Sequence, residues 1–289
     1  MRSLFGRGES GRLVALAYHD VRDPAGLARH MDYLMQKMRP VALDDVLGAV
    51  AGHQKLPPRA VLVTFDDGDP SVVEHALPIL RERGVPGIAF VIAGLLDTEQ
   101  PLWWVELEEL VRRGGTAPGL EGCTPATAVR ALKRLPNELR LHAIQELRRN
   151  AASPSVVVPQ LRRSDLPLLE TAGVRIGNHS LTHPCLDLCT DAQVAAEVTQ
   201  AHEVLTAALG AAPRVFAYPN GNHDPRTARV LEALGYEAAF LFDHRVASFP
   251  PADRFRISRV RVNSTTSLGR FRLMISGLHP GFHHAIGRS

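Results

Sequence analysis

Two adjacent carboxylates, Asp66 and Asp67, end the apolar run Val61-Leu62-Val63-Thr64-Phe65 and are followed by Gly68. Two histidines, His179 and His183, stand four residues apart just after a second run, Val174-Arg175-Ile176-Gly177-Asn178. One turn of helix would bring both imidazoles to one side, a common arrangement for a divalent metal. One carboxylate added to that pair gives a His-His-Asp set with positions left open for water and substrate. A second carboxylate nearby then has separate work, taking the proton from a water whose pKa the ion has lowered as that water attacks a carbonyl. This is amide or ester hydrolysis, with the metal and a backbone N–H supplying the oxyanion site. Each feature alone is ordinary: Asp66-Asp67 before Pro70 also reads as a helix cap, and 13 histidines allow such a spacing by chance.

The elements beneath these residues decide whether they meet. Side chains alternate along a strand, so adjacent aspartates serve one site only if the backbone turns there, which Gly68 permits. Apolar, β-branched runs predict strands over 13–18, 61–65, 88–92, 174–178, 215–218, 238–242 and 257–262. Helical spacing is expected over 24–38, 43–50, 70–83, 164–172, 191–209, 224–234 and 267–276. Repeated βα units predict an α/β fold with a parallel sheet, most economically a closed or nearly closed barrel with its functional loops at the strand C-termini. His19-Asp20, Asp66-Asp67, His179 with His183, and Asn220-Gly221 all follow strands and would converge on that face. The alternation stops between about 95 and 163, where three helices read as an insertion opened by Trp103-Trp104. Paired tryptophans either cover a sugar-binding cleft or anchor the insertion on the core. With no linker or repeat, the expectation is one domain over 1–289 with a short tail at about 279–289.

Composition narrows the partners. A net charge of +3, from 33 basic and 30 acidic residues, points to neither nucleic acid nor a membrane. Nowhere do eighteen apolar residues run together, so no transmembrane segment is expected, and residues 1–12 contain no signal-length apolar stretch. Three cysteines at spacings that fit no disulfide framework suit a reducing cytoplasm. Cys185 and Cys189 follow the histidine pair and admit a metal reading, but buried thiols are the ordinary use. Lysine occurs only at 37, 55 and 133 in an arginine-rich chain, and no function is drawn from that.

Taken together, Thr64-Phe65-Asp66-Asp67-Gly68, His179-Ser180-Leu181-Thr182-His183 and Phe216-Ala217-Tyr218-Pro219-Asn220-Gly221 resemble the polysaccharide deacetylase superfamily (NodB homology, carbohydrate esterase family 4) over about 13–277. The resemblance implies a distorted (β/α) barrel and removal of N-acetyl groups from an amino sugar. It also implies roles: Asp66 as catalytic base; Asp67, His179 and His183 as metal ligands; the Asn220 backbone amide in the oxyanion hole. Zinc is the expected metal on ligand type, although cobalt, manganese, nickel or iron suit the same donors. Two departures stand out. Many relatives have an arginine in the third motif that orients the base, whereas this chain has Ala217 there. Arg259 is the candidate replacement, since a guanidinium grips a carboxylate with two hydrogen bonds; the alternative is an arginine on a solvated strand end. The late Leu-x-His motif that normally supplies the general acid is missing, and neither His244 nor His279 fits its pattern. Tyr18-His19 resembles the N-terminal motif of poly-N-acetylglucosamine deacetylase relatives, which makes His19 the candidate acid; otherwise it is a hydrogen-bonded histidine in the barrel mouth.

The expected substrate is an N-acetylated sugar in a glycan or glycoconjugate. A lipid-linked or nucleotide-linked precursor suits a cytoplasmic enzyme, and a lipid link would bring peripheral membrane contact. Two other readings stand beside it: a non-haem iron enzyme, against which a water-activating base argues, and a catalytically silent carbohydrate-binding or scaffolding protein.

Overall fold

The apolar runs become strands and the periodic segments become helices. In chain order they are Arg12–Tyr18 (β1), Pro24–Lys37 (α1), Arg39–Pro40 (β2), Leu43–Val50 (α2), Ala60–Phe65 (β3), Leu77–Arg83 (α3) and Gly87–Val91 (β4). Trp103–Arg112 (α4), Pro125–Leu132 (α5) and Asn137–Asn150 (α6) follow. The alternation then resumes with Leu166–Thr171 (α7), Val174–Asn178 (β5), Asp191–Leu209 (α8), Val215–Ala217 (β6), Pro225–Ala233 (α9) and Ala238–Phe240 (β7). Ala247–Ser248 (β8), Val260–Arg261 (β9) and Leu268–Ile275 (α10) complete the described chain. The structure, a computed structural model, describes residues 11–276; the expected tail at 279–289 and His279 lie outside them.

The sheet runs β7-β6-β5-β4-β3-β1-β8, parallel throughout except for the β1–β8 pair. One stretch closes the ring. Ile257 bridges Phe240 at the end of β7, and three residues later Val260 pairs with Leu16 of β1. Seven strands therefore surround the interior, in a barrel distorted where this late stretch is laddered only at its ends. The expected strand over 257–262 is correspondingly shorter than its apolar pattern. β2 and β8, two residues each, are too short to leave any periodic signal.

Period-two alternation sorts the strand residues between the barrel interior and its outer face, where Phe216 and Ala239 join a further cluster with Val194, Val198 and Leu231. Leu13, Ala15, Leu62, Ile88, Phe90, Val215, Ala217 and Phe240 share one cluster with Val46 and Leu47 of α2. Val14, Leu16, Val61, Val63, Ala89 and Val91 belong to another, with Leu27, Met31 and Leu34 of α1. The first set fills the barrel, and α2 packs with it. The second faces the outer helices.

The helix expected over 70–83 begins instead as a π-turn at Val72–Ala76. Pro78 has no N–H to give, and the Leu77 N–H reaches back five residues to the Val72 carbonyl, so the ladder changes register there. α4, α5 and α6 form the expected insertion with a core of its own, built on Trp103, Leu107, Leu110, Leu132, Ile144 and Leu147.

Candidate active site

Alternation also explains how β3 delivers two adjacent acids. Leu62, Thr64 and Asp66 share the inward face, so Asp67 should point outward. The backbone prevents this: Asp67 and Gly68 both take left-handed conformations, with φ of 72° and 77°. Both carboxylates end up buried at the barrel mouth, and the turn expected at Gly68 is shared with Asp67. A helix cap does not account for this placement.

Arg259, fully buried, grips Asp66. Its Nη1 donates to Asp66 Oδ1 at 2.6 Å and its Nη2 to Oδ2 at 2.8 Å. The remaining donors reach Thr64 Oγ1 at 2.9 Å and the Leu241 carbonyl at 2.8 Å, so the guanidinium is held on three sides. A solvated strand end is therefore excluded for Arg259. Burial alone would raise the Asp66 pKa, but Arg259 and the nearby histidines outweigh it, and Asp66 stays ionised.

The two histidines converge by a route the four-residue spacing did not anticipate. Residues 179–183 are not helical. The His179 N–H continues the ladder onto the Val91 carbonyl, and Ser180 then turns left-handed at φ 66°, its N–H held by Asn178 Oδ1. His183 is left-handed as well, and its N–H donates to Ser180 Oγ. Glu197, buried on α8, accepts from the N–H groups of Leu181 and Thr182 at 3.0 and 2.8 Å and from the Thr182 hydroxyl. This carboxylate shapes the loop that presents both imidazoles.

Asp67, His179 and His183 form a buried three-donor group with ligand atoms within 4.8 Å of one another. Asp67 Oδ1 lies 3.4 Å from His179 Nε2 and 3.5 Å from His183 Nε2. Bonds of about 2.0–2.2 Å at tetrahedral angles put neighbouring donors roughly 3.4 Å apart, so the spacing fits one small divalent ion. The chemistry agrees. His179 Nδ1 donates to the Ala217 carbonyl at 2.8 Å, turning Nε2 toward Asp67. Asp67 Oδ1, although buried, accepts no hydrogen bond. Burial and the charge of His179 push the His183 pKa down to about 3, leaving a neutral imidazole ready to ligate. Burial also works against a charge on His179, but Asp67, Asp66 and the Ala217 carbonyl together raise its pKa. Its affinity for a proton and its fitness for a cation have one cause, the carboxylates it faces.

Around this group lies a cleft of about 200 Å³. His19 lines it, packed edge-on against Phe242 at 5.3 Å, and so does Asn220, left-handed at φ 59°. A second lobe of about 340 Å³ shares His19, Asp67, Trp104 and Arg261 with the first. The paired tryptophans take different positions. Trp103 is buried in the insertion core and donates its indole N–H to the His183 carbonyl at 2.9 Å. Trp104 lines the cleft, its ring 4.6 Å from that of His183. Cys185 and Cys189 are buried free thiols outside the metal-ligating group, and burial raises both pKa values.

Sequence reasoning missed Lys133 and Arg261. Lys133 projects from the insertion and donates to Asn220 Oδ1 at 2.8 Å, and both side chains line the cleft. A signal for Lys133 existed, since it is one of three lysines in an arginine-rich chain.

Comparison with known proteins bears on the family and the fold. The family model described as polysaccharide deacetylase matches residues 53–239. A curated poly-β-1,6-N-acetyl-D-glucosamine N-deacetylase of Escherichia coli is 23% identical over 274 residues, covering 91% of this chain. The chain spans only 38% of that relative's length. Among solved structures, IcaB from Ammonifex degensii superposes with a TM-score of 0.64 at 22% identity, covering 93% of this chain and 97% of that one. The Streptococcus pyogenes deacetylase PplD, in complex with acetate, gives 0.65 at 15% identity over 94% and 100%. At these identities the structural likeness establishes the fold.

Proposed function

We propose that this chain, which belongs to the polysaccharide deacetylase family, is a divalent-metal hydrolase that removes N-acetyl groups from an amino sugar in a glycan or glycoconjugate. One observation carries the proposal: three buried donors spaced for a single ion stand beside a second carboxylate held by Arg259. The deacetylase activity of the Escherichia coli relative supports the same reaction class.

Asp67, His179 and His183 would hold the ion, with zinc preferred on donor type. Bound there, a divalent ion polarises an amide carbonyl and lowers the pKa of its water. Asp66 takes the proton of the attacking water, and the two hydrogen bonds from Arg259 keep the carboxylate ionised and aimed. Asn220 offers its backbone N–H to the carbonyl oxygen as charge develops on it. His19 gives a proton to the departing amine, leaving acetate and a free amino sugar. The carboxylate base distinguishes this from a non-haem iron oxygenase, for which Asp66 and Arg259 would have no task.

The test is acetate release from N-acetylated oligosaccharides by protein stripped with chelator and reloaded with zinc. Release is expected only from the reloaded protein. Release by the metal-free protein contradicts metal dependence, and sugar binding without acetate release from any substrate favours a silent carbohydrate-binding protein.

A further inference from the structure

Besides its histidines, the cleft is lined by four charged side chains: Asp66, Asp67, Lys133 and Arg261. The two acids are accounted for. Asp66 is neutralised by Arg259, and Asp67 faces His179 and His183, where an ion would more than balance it. The two bases are not. Lys133 has the neutral oxygen of Asn220 as its hydrogen-bond partner, which leaves two of its three donors to the cleft. Arg261 lies 6.0 Å from the centre of the Phe242 ring, a contact that uses none of its five donors. Among the described residues, neither is in an ion pair. The acids of the adjoining lobe are bonded elsewhere, Asp20 to Arg22 and Asp69 to the Ser71 N–H.

Hydrolysis of an acetamide requires neither base. The amide is neutral, and the proton transfers proposed above are assigned to Asp66 and His19. We infer that the cleft selects an acetamido sugar bearing an anionic group, phosphate or carboxylate, on the acetylated residue or its direct neighbour, and that Lys133 and Arg261 read that group. The inference rests on the deacetylase reading and sharpens it to a substrate class. Lys133 comes from the helical insertion and Arg261 from β9, so the anion would lie between the insertion and the barrel. A guanidinium and an ammonium with free donors suit oxyanions through charge-assisted hydrogen bonds.

The experiment measures binding of three probes to the zinc-loaded full chain by calorimetry: N-acetylglucosamine, N-acetylglucosamine 1-phosphate and N-acetylmuramic acid. At least one anionic sugar should bind about tenfold or more tightly than the neutral one. The stronger of the two identifies the source as phosphate or carboxylate. The preference should fall to near unity in Lys133→Gln/Arg261→Gln and persist in Lys133→Arg/Arg261→Lys. Equal affinities in the unaltered protein overturn the inference without any variant. A preference that survives the double glutamine variant overturns it too, because the metal then carries it. Acetate release without an anionic preference removes this inference and leaves the deacetylase reading standing; a preference without acetate release does the reverse.

Discussion

The barrel mouth and the helical insertion border the same cleft but are built on different principles. At the mouth, rigid strand ends deliver buried charges into a tightly paired arrangement: Asp66 against Arg259, and Asp67 against two histidines. The insertion has a separate apolar core and reaches the site through Trp103 on the His183 carbonyl, Trp104 beside the His183 ring, and Lys133 on Asn220. The difference separates reaction from recognition. On the proposed reading, the groups that would move protons or hold an ion sit on strand ends and the hydrogen-bonded turns that follow them. On the same reading, groups that would meet the rest of a substrate come largely from an element that can vary without disturbing the barrel, joined by Arg261 of β9.

The contrast predicts graded damage. Arg259→Leu should be the most severe, because it leaves the Asp66 carboxylate buried and unpaired at a cost of about 3–5 kcal/mol in stability. Chemical denaturation would measure the loss, and Asp66→Leu/Arg259→Leu should recover much of it. A single variant as stable as the parent would remove the distinction between a rigid mouth and a tolerant insertion.

Glu197→Ala should come next. It frees the 181–182 backbone that aims the imidazoles, and zinc affinity should fall by about 10–100-fold, as for other groups that orient metal ligands. Zinc titration of the variant tests this; unchanged affinity would mean that the loop holds its shape without the carboxylate.

Trp103→Phe should have the smallest effect. It deletes one hydrogen bond to the His183 carbonyl, worth about 1 kcal/mol, and should shift zinc affinity only several-fold. A loss as large as that of Glu197→Ala would show that the insertion helps build the metal centre rather than merely border it.

How much of this could be read from sequence follows the same division. The barrel, most of its strands and the meeting of Asp66, Asp67, His179 and His183 were legible because each motif is local, with an apolar run followed directly by its polar groups. Arg259 was legible as a candidate because the family resemblance implies an arginine that orients Asp66, and Ala217 stands where many relatives carry it. The turn geometry was not. The spacing of His179 and His183 suggested a helix, whereas left-handed Ser180 and His183 do the work, and no side-chain pattern marks those positions. The partners of the insertion residues were not legible for another reason, although Trp103-Trp104 and the rare Lys133 stood out by type. Lys133 meets Asn220 across 87 residues and Trp103 meets His183 across 80, through packing that no periodicity encodes.

The central claim is that adjacent Asp66 and Asp67 have separate tasks, one taking a proton and the other holding the ion. Zinc stoichiometry and acetate release, measured together on Asp66→Asn and Asp67→Asn, test it most directly. Asp66→Asn should keep one zinc per chain and lose acetate release by at least about a hundredfold, the low end for a general base. Asp67→Asn should lose the zinc itself. Zinc lost from both variants, or acetate release retained in Asp66→Asn, would contradict the account.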